Sequence, residues 1–201
     1  MLEHPFYQRW SAGELGSQEL GFYAWEYRHA VIALADVSAR AAATAEPAHA
    51  AGLRLHAEEE AAHVELWDRF ARAASGRDSV TRGALAETET CAQTWTAGED
   101  LLEHLAVLYA IEASQPEVSK TKLEGLSAHY GYSPEGPAVE YFRVHEQRDG
   151  EHARQSRELI AELLAGSDHG SEKAQSMVRR ARAALAGNWR LLDGVQTHAP
   201  R

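Results

Sequence analysis

The sequence predicts an all-α fold built as a single domain, and three observations carry that reading. Apolar residues recur at helical spacing along nearly the whole chain, while no segment shows the strict alternation of a half-buried strand. Repeats, low-complexity tracts and linkers are absent. A length of 201 residues suits one well-buried domain and is short for two.

Element by element, the expectation is a helical bundle. A short helix around Pro5 to Ser11 leads through Gly13 and Gly16 into a long one over about 17–43. Ser17 is a suitable cap there, with Glu19 just inside, where a carboxylate favours the helix dipole. Pro47 opens the next helix, about 47–74, because proline is tolerated in a first turn, and Ser75-Gly76 ends it. Helices over about 84–96 and 98–114 follow, the second interrupted at Pro116, and helix resumes over about 117–129. Gly131 and the Ser133–Pro137 loop break it. Two last helices, about 138–165 and 170–193, flank a turn at Gly166-Ser167.

Composition narrows the function classes. Hydrophobic residues at 44% and charged residues at 25% describe a globular chain rather than a disordered one. A formal net charge of −10 argues against a phosphate-tracking nucleic-acid surface. The acidity is spread along the helices and reads mainly as solvated faces. A lone cysteine, Cys91, has no internal disulfide partner, which suits a reducing cytoplasm. The stretch from Met1 to Tyr7 has neither a basic segment nor an apolar run, so no signal peptide is expected. No run approaches the roughly 18 apolar residues of a spanning helix, so no membrane partner is expected.

The chemistry lies where ligand-type residues interrupt core stripes. His145, Asp149 and His152 sit at i, i+4 and i+7 of one helix face. Phe142 precedes them, and the stripe continues through Ser156, Leu159 and Leu163. Burying a carboxylate and two imidazoles without partners is costly, so the trio needs a metal or a hydrogen-bonded network. The plain alternative is a solvated first turn of a long helix. His56, Glu60 and His63 repeat the spacing within a stripe that runs from Leu53 to Trp67 and Phe70. Glu58 and Glu59 point to other faces, and for Glu58 an exposed acidic cluster is the better reading. The third interruption is Glu112, closing the row Leu101, Leu105, Leu108. An isolated glutamate at a helix end ordinarily faces solvent; three such interruptions together are harder to dismiss. They supply three carboxylates and up to four imidazoles, the inventory of a carboxylate-bridged di-iron or iron–manganese site in a bundle core. A closed structural zinc site would use fewer carboxylates and usually cysteines.

Other chemistries lack an anchor. No G-x-S-x-G elbow, G-x-G-x-x-G or P-loop occurs. Tyr23, Trp25 and Tyr27 are expected to be packing residues. His4, His29, His104, His129, His169 and His198 are expected to be structural or on the surface.

Further motifs run in order along nearly the whole chain. They are the opening from Met1 to Leu15, Tyr23-Ala24-x2-Tyr27, His63-x-Glu65-Leu66-Trp67-x2-Phe70 and Tyr109-x2-Glu112. Lys122-x2-Gly125-Leu126, His145-x3-Asp149-x2-His152 and Trp189-x2-Leu192-Asp193-Gly194 follow. In this order the chain resembles the haem-oxygenase-like di-metal oxidases and, within them, the CADD-like group linked to para-aminobenzoate synthesis for folate. The resemblance implies a bundle of about seven helices around two transition-metal ions, an iron pair or a manganese–iron pair. Dioxygen would be the co-substrate and an external electron donor the reductant. It implies ligand roles for His63, Glu112, His145, Asp149 and His152. It also implies that Tyr7 is the source of the aminobenzoate ring and Lys122 the amino donor. Read without it, Tyr7 is a packing anchor beside Phe6 and Trp10, and Lys122 a solvated helix lysine.

One departure matters. The family's remaining glutamate ligand usually lies about two turns before the histidine that His63 matches. Here that stretch is shorter by two residues, and His56 holds the two-turn position. Alignment from the N-terminal side favours Glu58, a helix bulge would favour Glu59, and regular helix geometry favours Glu60, which is taken as the ligand. His56 stays open as a seventh. Two other functions also stay open, an oxidase of an external amino acid or fatty acid and a metal-free helical binding protein. The oligomeric state is open too, a homodimer included.

Overall fold

The structure is a computed structural model that describes residues 1–79, 83–166 and 170–200. Among these residues the chain forms a short helix α1 (Pro5–Ser11) and seven longer ones. These are α2 (Ser17–Thr44), α3 (Pro47–Ser75), α4 (Ala86–Thr96), α5 (Leu101–Glu112), α6 (Gln115–His129), α7 (Glu140–Ala165) and α8 (Gly170–His198). A 3₁₀ turn, Pro137–Val139, leads into α7, and no strand is present among the described residues. The periodicity thus yields the expected order of elements. Ser167, half of the expected final turn, lies outside the described residues, as does His169.

The differences are local and have physical causes. Ser17 is the first residue of α2 rather than its cap; Gly16 holds the cap position and offers no side-chain acceptor. Glu19 is buried and accepts two bonds from the Arg9 guanidinium, at 2.7 and 2.8 Å, instead of standing free at the helix start. Pro116 does not delay α6, because it falls in the first turn, where its missing N–H has no intrahelical partner to lose. Gly76 ends α3 with φ of 63°, the left-handed conformation that glycine adopts without strain. The last helix runs on to His198, since Leu191, Leu192 and Val195 continue a buried stripe past Asp193. The reading of the acidity as solvated faces fails at Glu19, Glu26 and Glu103, which are buried with partners distant in sequence.

α2 and α3 pack along each other, α4 lies on α8, α5 lies against α7 and α8, and α6 lies on α7. The core between them is rich in aromatic rings, and three tryptophans in it are fully enclosed. Each satisfies its indole N–H on a backbone carbonyl: Trp10 on Lys122 at 3.1 Å, Trp67 on Ala24 at 2.7 Å and Trp95 on Ala184 at 3.1 Å. Burial of each side chain stabilises the fold by roughly 2–3 kcal/mol. Because the bonds reach across helices, they also fix how one helix sits on the next. No helix among the described residues is long and apolar enough to cross a membrane.

Candidate metal centre

α3 presents His56, Glu60 and His63 on one face, α7 presents His145, Asp149 and His152, and α5 ends in Glu112. All seven side chains are buried. Their donor atoms converge on two overlapping sets, within each of which the atoms lie inside 4.8 Å of one another. One set holds His56, Glu60, Glu112 and His152; the other holds Glu60, His63 and His145. Glu60 belongs to both, as a bridging carboxylate would. Its Oε1 lies 3.1 Å from His63 Nδ1, 3.8 Å from His152 Nδ1 and 3.9 Å from His56 Nε2, and its Oε2 lies 3.9 Å from His145 Nε2.

Neighbouring groups hold two of the imidazoles in place. His145 Nδ1 donates to the Tyr141 carbonyl at 2.7 Å, which leaves the Nε2 lone pair facing Glu60. The Tyr141 ring stacks on the same imidazole at 3.8 Å. His152 Nε2 lies 2.9 Å from Glu59 Oε2, which leaves its Nδ1 for the interior. Arg148 braces Glu59 from the other side at 2.5 Å. Glu59 is therefore an orienting partner of His152, a role for which the sequence carries no signal. Glu58 is exposed, as its helix face predicts.

The electrostatics of this cluster are frustrated. His56 Nε2, both Glu112 oxygens, His145 Nε2, both Asp149 oxygens and His152 Nδ1 are buried without a hydrogen bond. His56 Nε2 and Glu112 Oε1 stand 2.9 Å apart, yet the angles are wrong for a hydrogen bond, so the two lone pairs aim past each other. Burial, reinforced by Glu60, pushes the Glu112 carboxyl well above the ordinary range. Burial does the same to Asp149, reinforced by Glu60 and Glu112. Glu60 goes the other way: burial raises its pKa, but contact with His145 and His63 outweighs this and holds it below the ordinary range. Burial lowers His56, His145 and His152, which leaves them neutral imidazoles at pH 7. Orphaned lone pairs on neutral imidazoles and carboxylates, converging from three helices, are the donor set of a transition-metal site. The residues fit such a group.

Of the six side chains expected as ligands, Glu60, His63, Glu112, His145 and His152 fall in the two sets. Asp149 shares their face and is buried beside them, but its oxygens stand outside both sets. His56, left open by the sequence, lies inside the first set.

Tyr7 and Lys122 meet in a second, apolar region of the same core. The Lys122 amine lies 5.0 Å from the Tyr7 ring centroid, 4.7 Å from that of Tyr27 and 5.4 Å from that of Tyr23. It has no carboxylate partner among the described residues, and burial lowers its pKa to about 7. Tyr23 and Tyr27 are buried packing residues, as expected, yet their hydroxyls are without hydrogen bonds. Trp67, 5.9 Å from the amine, contacts Tyr141 at 4.8 Å, so aromatic rings connect the two regions. His4 and His104 are structural. His4 accepts the Phe6 amide and reaches Asp193 at 3.1 Å, and His104 bonds the Gly98 carbonyl at 3.0 Å.

Comparison with known proteins agrees with this architecture. The profile of the family described as iron-containing redox enzyme matches residues 23–189. The chain is 34% identical over 199 residues to the 4-aminobenzoate synthase of Chlamydia muridarum, covering 93% of this chain and 82% of that one. It is 30% identical over 214 residues to the 4-aminobenzoate synthase of Nitrosomonas europaea, covering 97% and 85%. A solved domain of unknown function with a haem-oxygenase-like fold, from Shewanella denitrificans, superposes with a TM-score of 0.80 at 20% identity, covering 97% and 84%. That likeness gives the fold, an all-α haem-oxygenase-like bundle. The profile spans most of the sequence and the whole candidate metal centre, and the chain belongs to the family of iron-containing redox enzymes.

Proposed function

We propose that this enzyme makes 4-aminobenzoate from its own side chains, with Tyr7 as the source of the ring and Lys122 as the amino donor. The observation that carries the reading is the closed aromatic compartment in which the Lys122 amine stands 5.0 Å from the Tyr7 ring. Tyrosine carries a carbon substituent and, para to it, an oxygen; 4-aminobenzoate carries a carboxylate carbon and, para to it, a nitrogen. The conversion therefore needs the tyrosine Cα–Cβ bond cleaved, with Cβ oxidised to carboxylate. It also needs the ring oxygen displaced as water by the amine, and the lysine Cε–Nζ bond broken to release the nitrogen. Two transition-metal ions, an iron pair or a manganese–iron pair, would supply the oxidising chemistry, with dioxygen as co-substrate and an external reductant.

The chain's own residues prepare both changes. His56, Glu60, Glu112 and His152 would hold one ion, and Glu60, His63 and His145 the other. Asp149 is a further buried carboxylate on the same face of α7. The Tyr141 carbonyl and the Glu59 carboxylate orient the imidazoles of His145 and His152. In the apolar compartment the amine is held near neutrality, because no carboxylate compensates its charge, and only the unprotonated form is a nucleophile. Holding amine and ring side by side in the core replaces a bimolecular encounter, which can lower a barrier by several kcal/mol.

The test follows the atoms. Protein made with ring-labelled tyrosine and nitrogen-labelled lysine should give aminobenzoate carrying both labels, and its mass should fall after reaction. Tyr7→Phe and Lys122→Met should form none while keeping their metal. Unlabelled product, or an active Tyr7→Phe variant, overturns the reading in favour of an oxidase of an external substrate.

A further inference from the structure

The ring and the amine must meet in a set register, and α1, which carries Tyr7, cannot supply that register itself. A helix of seven residues is unstable in isolation, so its place comes from the ties that bind it. One of these ties leads to the amino donor. Trp10, one turn after Tyr7, donates its indole N–H to the main-chain carbonyl of Lys122 at 3.1 Å, and both groups are buried. The approach is possible because residue 125, one turn after Lys122, is glycine. A Cβ at Gly125 would stand 2.7 Å from Trp10 Cδ1 and 2.8 Å from Nε1. Tyr130, just past the end of α6, closes the frame by donating its hydroxyl to the Trp10 carbonyl at 3.0 Å.

We propose that Trp10 and Gly125 are positioning residues which set the approach of the Lys122 amine to the Tyr7 ring. This rests on the function proposed above. Trp10 sits one turn from the ring on α1, and its bond ends on the backbone of the residue that carries the amine. The indole therefore acts as a spacer between the two reacting side chains and touches neither reacting atom. Tyr23, against which Trp10 packs at 5.5 Å between centroids, lines the same compartment. A displacement of about 1 Å at such a spacer is enough to cost on the order of a hundredfold in rate.

A stability role and a positioning role predict different readouts. The discriminating quantity is the ratio of labelled aminobenzoate formed to Tyr7 lost, measured by mass spectrometry on protein labelled in tyrosine ring and lysine nitrogen. Trp10→Phe and Gly125→Ala should retain metal and still consume Tyr7, while the ratio falls at least about tenfold as the oxidised ring goes unaminated. Trp95→Phe is the matched control. It also removes a buried indole that donates to a backbone carbonyl at 3.1 Å, but one that joins α4 to α8. It should lower Tm and leave the ratio unchanged. Gly125→Ala deletes nothing from the core, so it decides the matter should Trp10→Phe fail to fold. An unchanged ratio in Gly125→Ala, or an equal fall in Trp95→Phe, overturns the positioning role alone. Wild-type product without either label overturns the function and this inference with it.

Discussion

Two glutamates on α5 occupy opposite situations although both are buried. Glu103, in the first turn, accepts the Glu99 amide at 3.0 Å and Arg180 Nε at 2.9 Å on one oxygen, and the Ser176 hydroxyl on the other. Burial raises its pKa, but these bonds outweigh it and leave the carboxyl below its ordinary value. Glu112, the last residue of the same helix, accepts no bond on either oxygen, and its pKa is pushed up by burial and by Glu60. Residue type and helix are shared; Glu112 is the more deeply enclosed of the two, yet it is the one left unsatisfied. A satisfied buried charge is part of the scaffold, whereas an unsatisfied one is held in place by the rest of the fold for something else.

The largest effects should come from removing these two side chains, and they should have opposite signs. If the centre holds the two ions proposed above, Glu112→Leu should lower bound metal to at most one and abolish aminobenzoate formation. Stability of the metal-free form should stay level or rise, because an unpaired buried carboxyl is exchanged for apolar volume. Glu103→Leu should keep both ions and lose about 2–4 kcal/mol, since Arg180 and Ser176 are left unpaired. Elemental analysis and denaturant unfolding of the metal-free proteins measure both arms. Loss of metal in the Glu103 variant, or a large destabilisation in the Glu112 variant, would erase the distinction.

Lys122 sharpens the comparison, as a buried amine with no carboxylate partner among the described residues, relieved by losing its proton. Its folded pKa is about 7, against an ordinary value of 10.5. Between those values the unfolded chain binds the proton and the folded chain does not, so this residue makes stability rise with pH. At about 1.4 kcal/mol per unit, the rise is on the order of 4 kcal/mol from pH 7 to pH 10. Lys122→Met should remove it. The variant should be more stable than wild type at pH 7, with the advantage shrinking towards pH 10. A pH-independent difference would mean that the amine is charged and solvated in the folded protein.

The same contrast explains what could be read in advance. Stripe interruptions expose residues that offend a core, so Glu60, His63, Glu112, His145 and His152 were legible from spacing alone. His56 follows the same rule and stays open only because it holds the position at which the resemblance expects a glutamate. Satisfied charges leave no such trace, because their partners lie far along the chain. Glu26 meets Thr88 across 62 positions and Glu103 meets Arg180 across 77, so both passed for solvated residues. Lys122 was invisible to periodicity for a related reason. On α6 it lies between Lys120 and Glu124, and the rings that enclose it come from α1, α2, α3 and α7. Only the resemblance singled it out.

A graded series, ending in the smallest effect, tests the register of α3, where Glu58, Glu59 and Glu60 are consecutive and only their faces differ. Glu60 is shared by both ligand sets, so Glu60→Gln should cost both ions. Glu59 reaches the site at one remove, through its bond to His152 Nε2, and shares its other oxygen with Arg148. Glu59→Gln keeps an acceptor but weakens the hold on the imidazole, and metal affinity should fall by about tenfold, as for other partners of ligand histidines. Glu58 is exposed and without a role in either set, so Glu58→Gln should leave metal content unchanged and stability within about 0.5 kcal/mol. Competition against a chelator resolves all three. A rank order of Glu60, Glu59, Glu58 follows from a regular helix, because one residue turns the side chain by about 100°. An effect of Glu58→Gln larger than that of Glu59→Gln would require α3 to be rotated or bulged between Leu53 and His63. That would take His56 out of the cluster as well, so the weakest of the three substitutions also decides the seventh ligand.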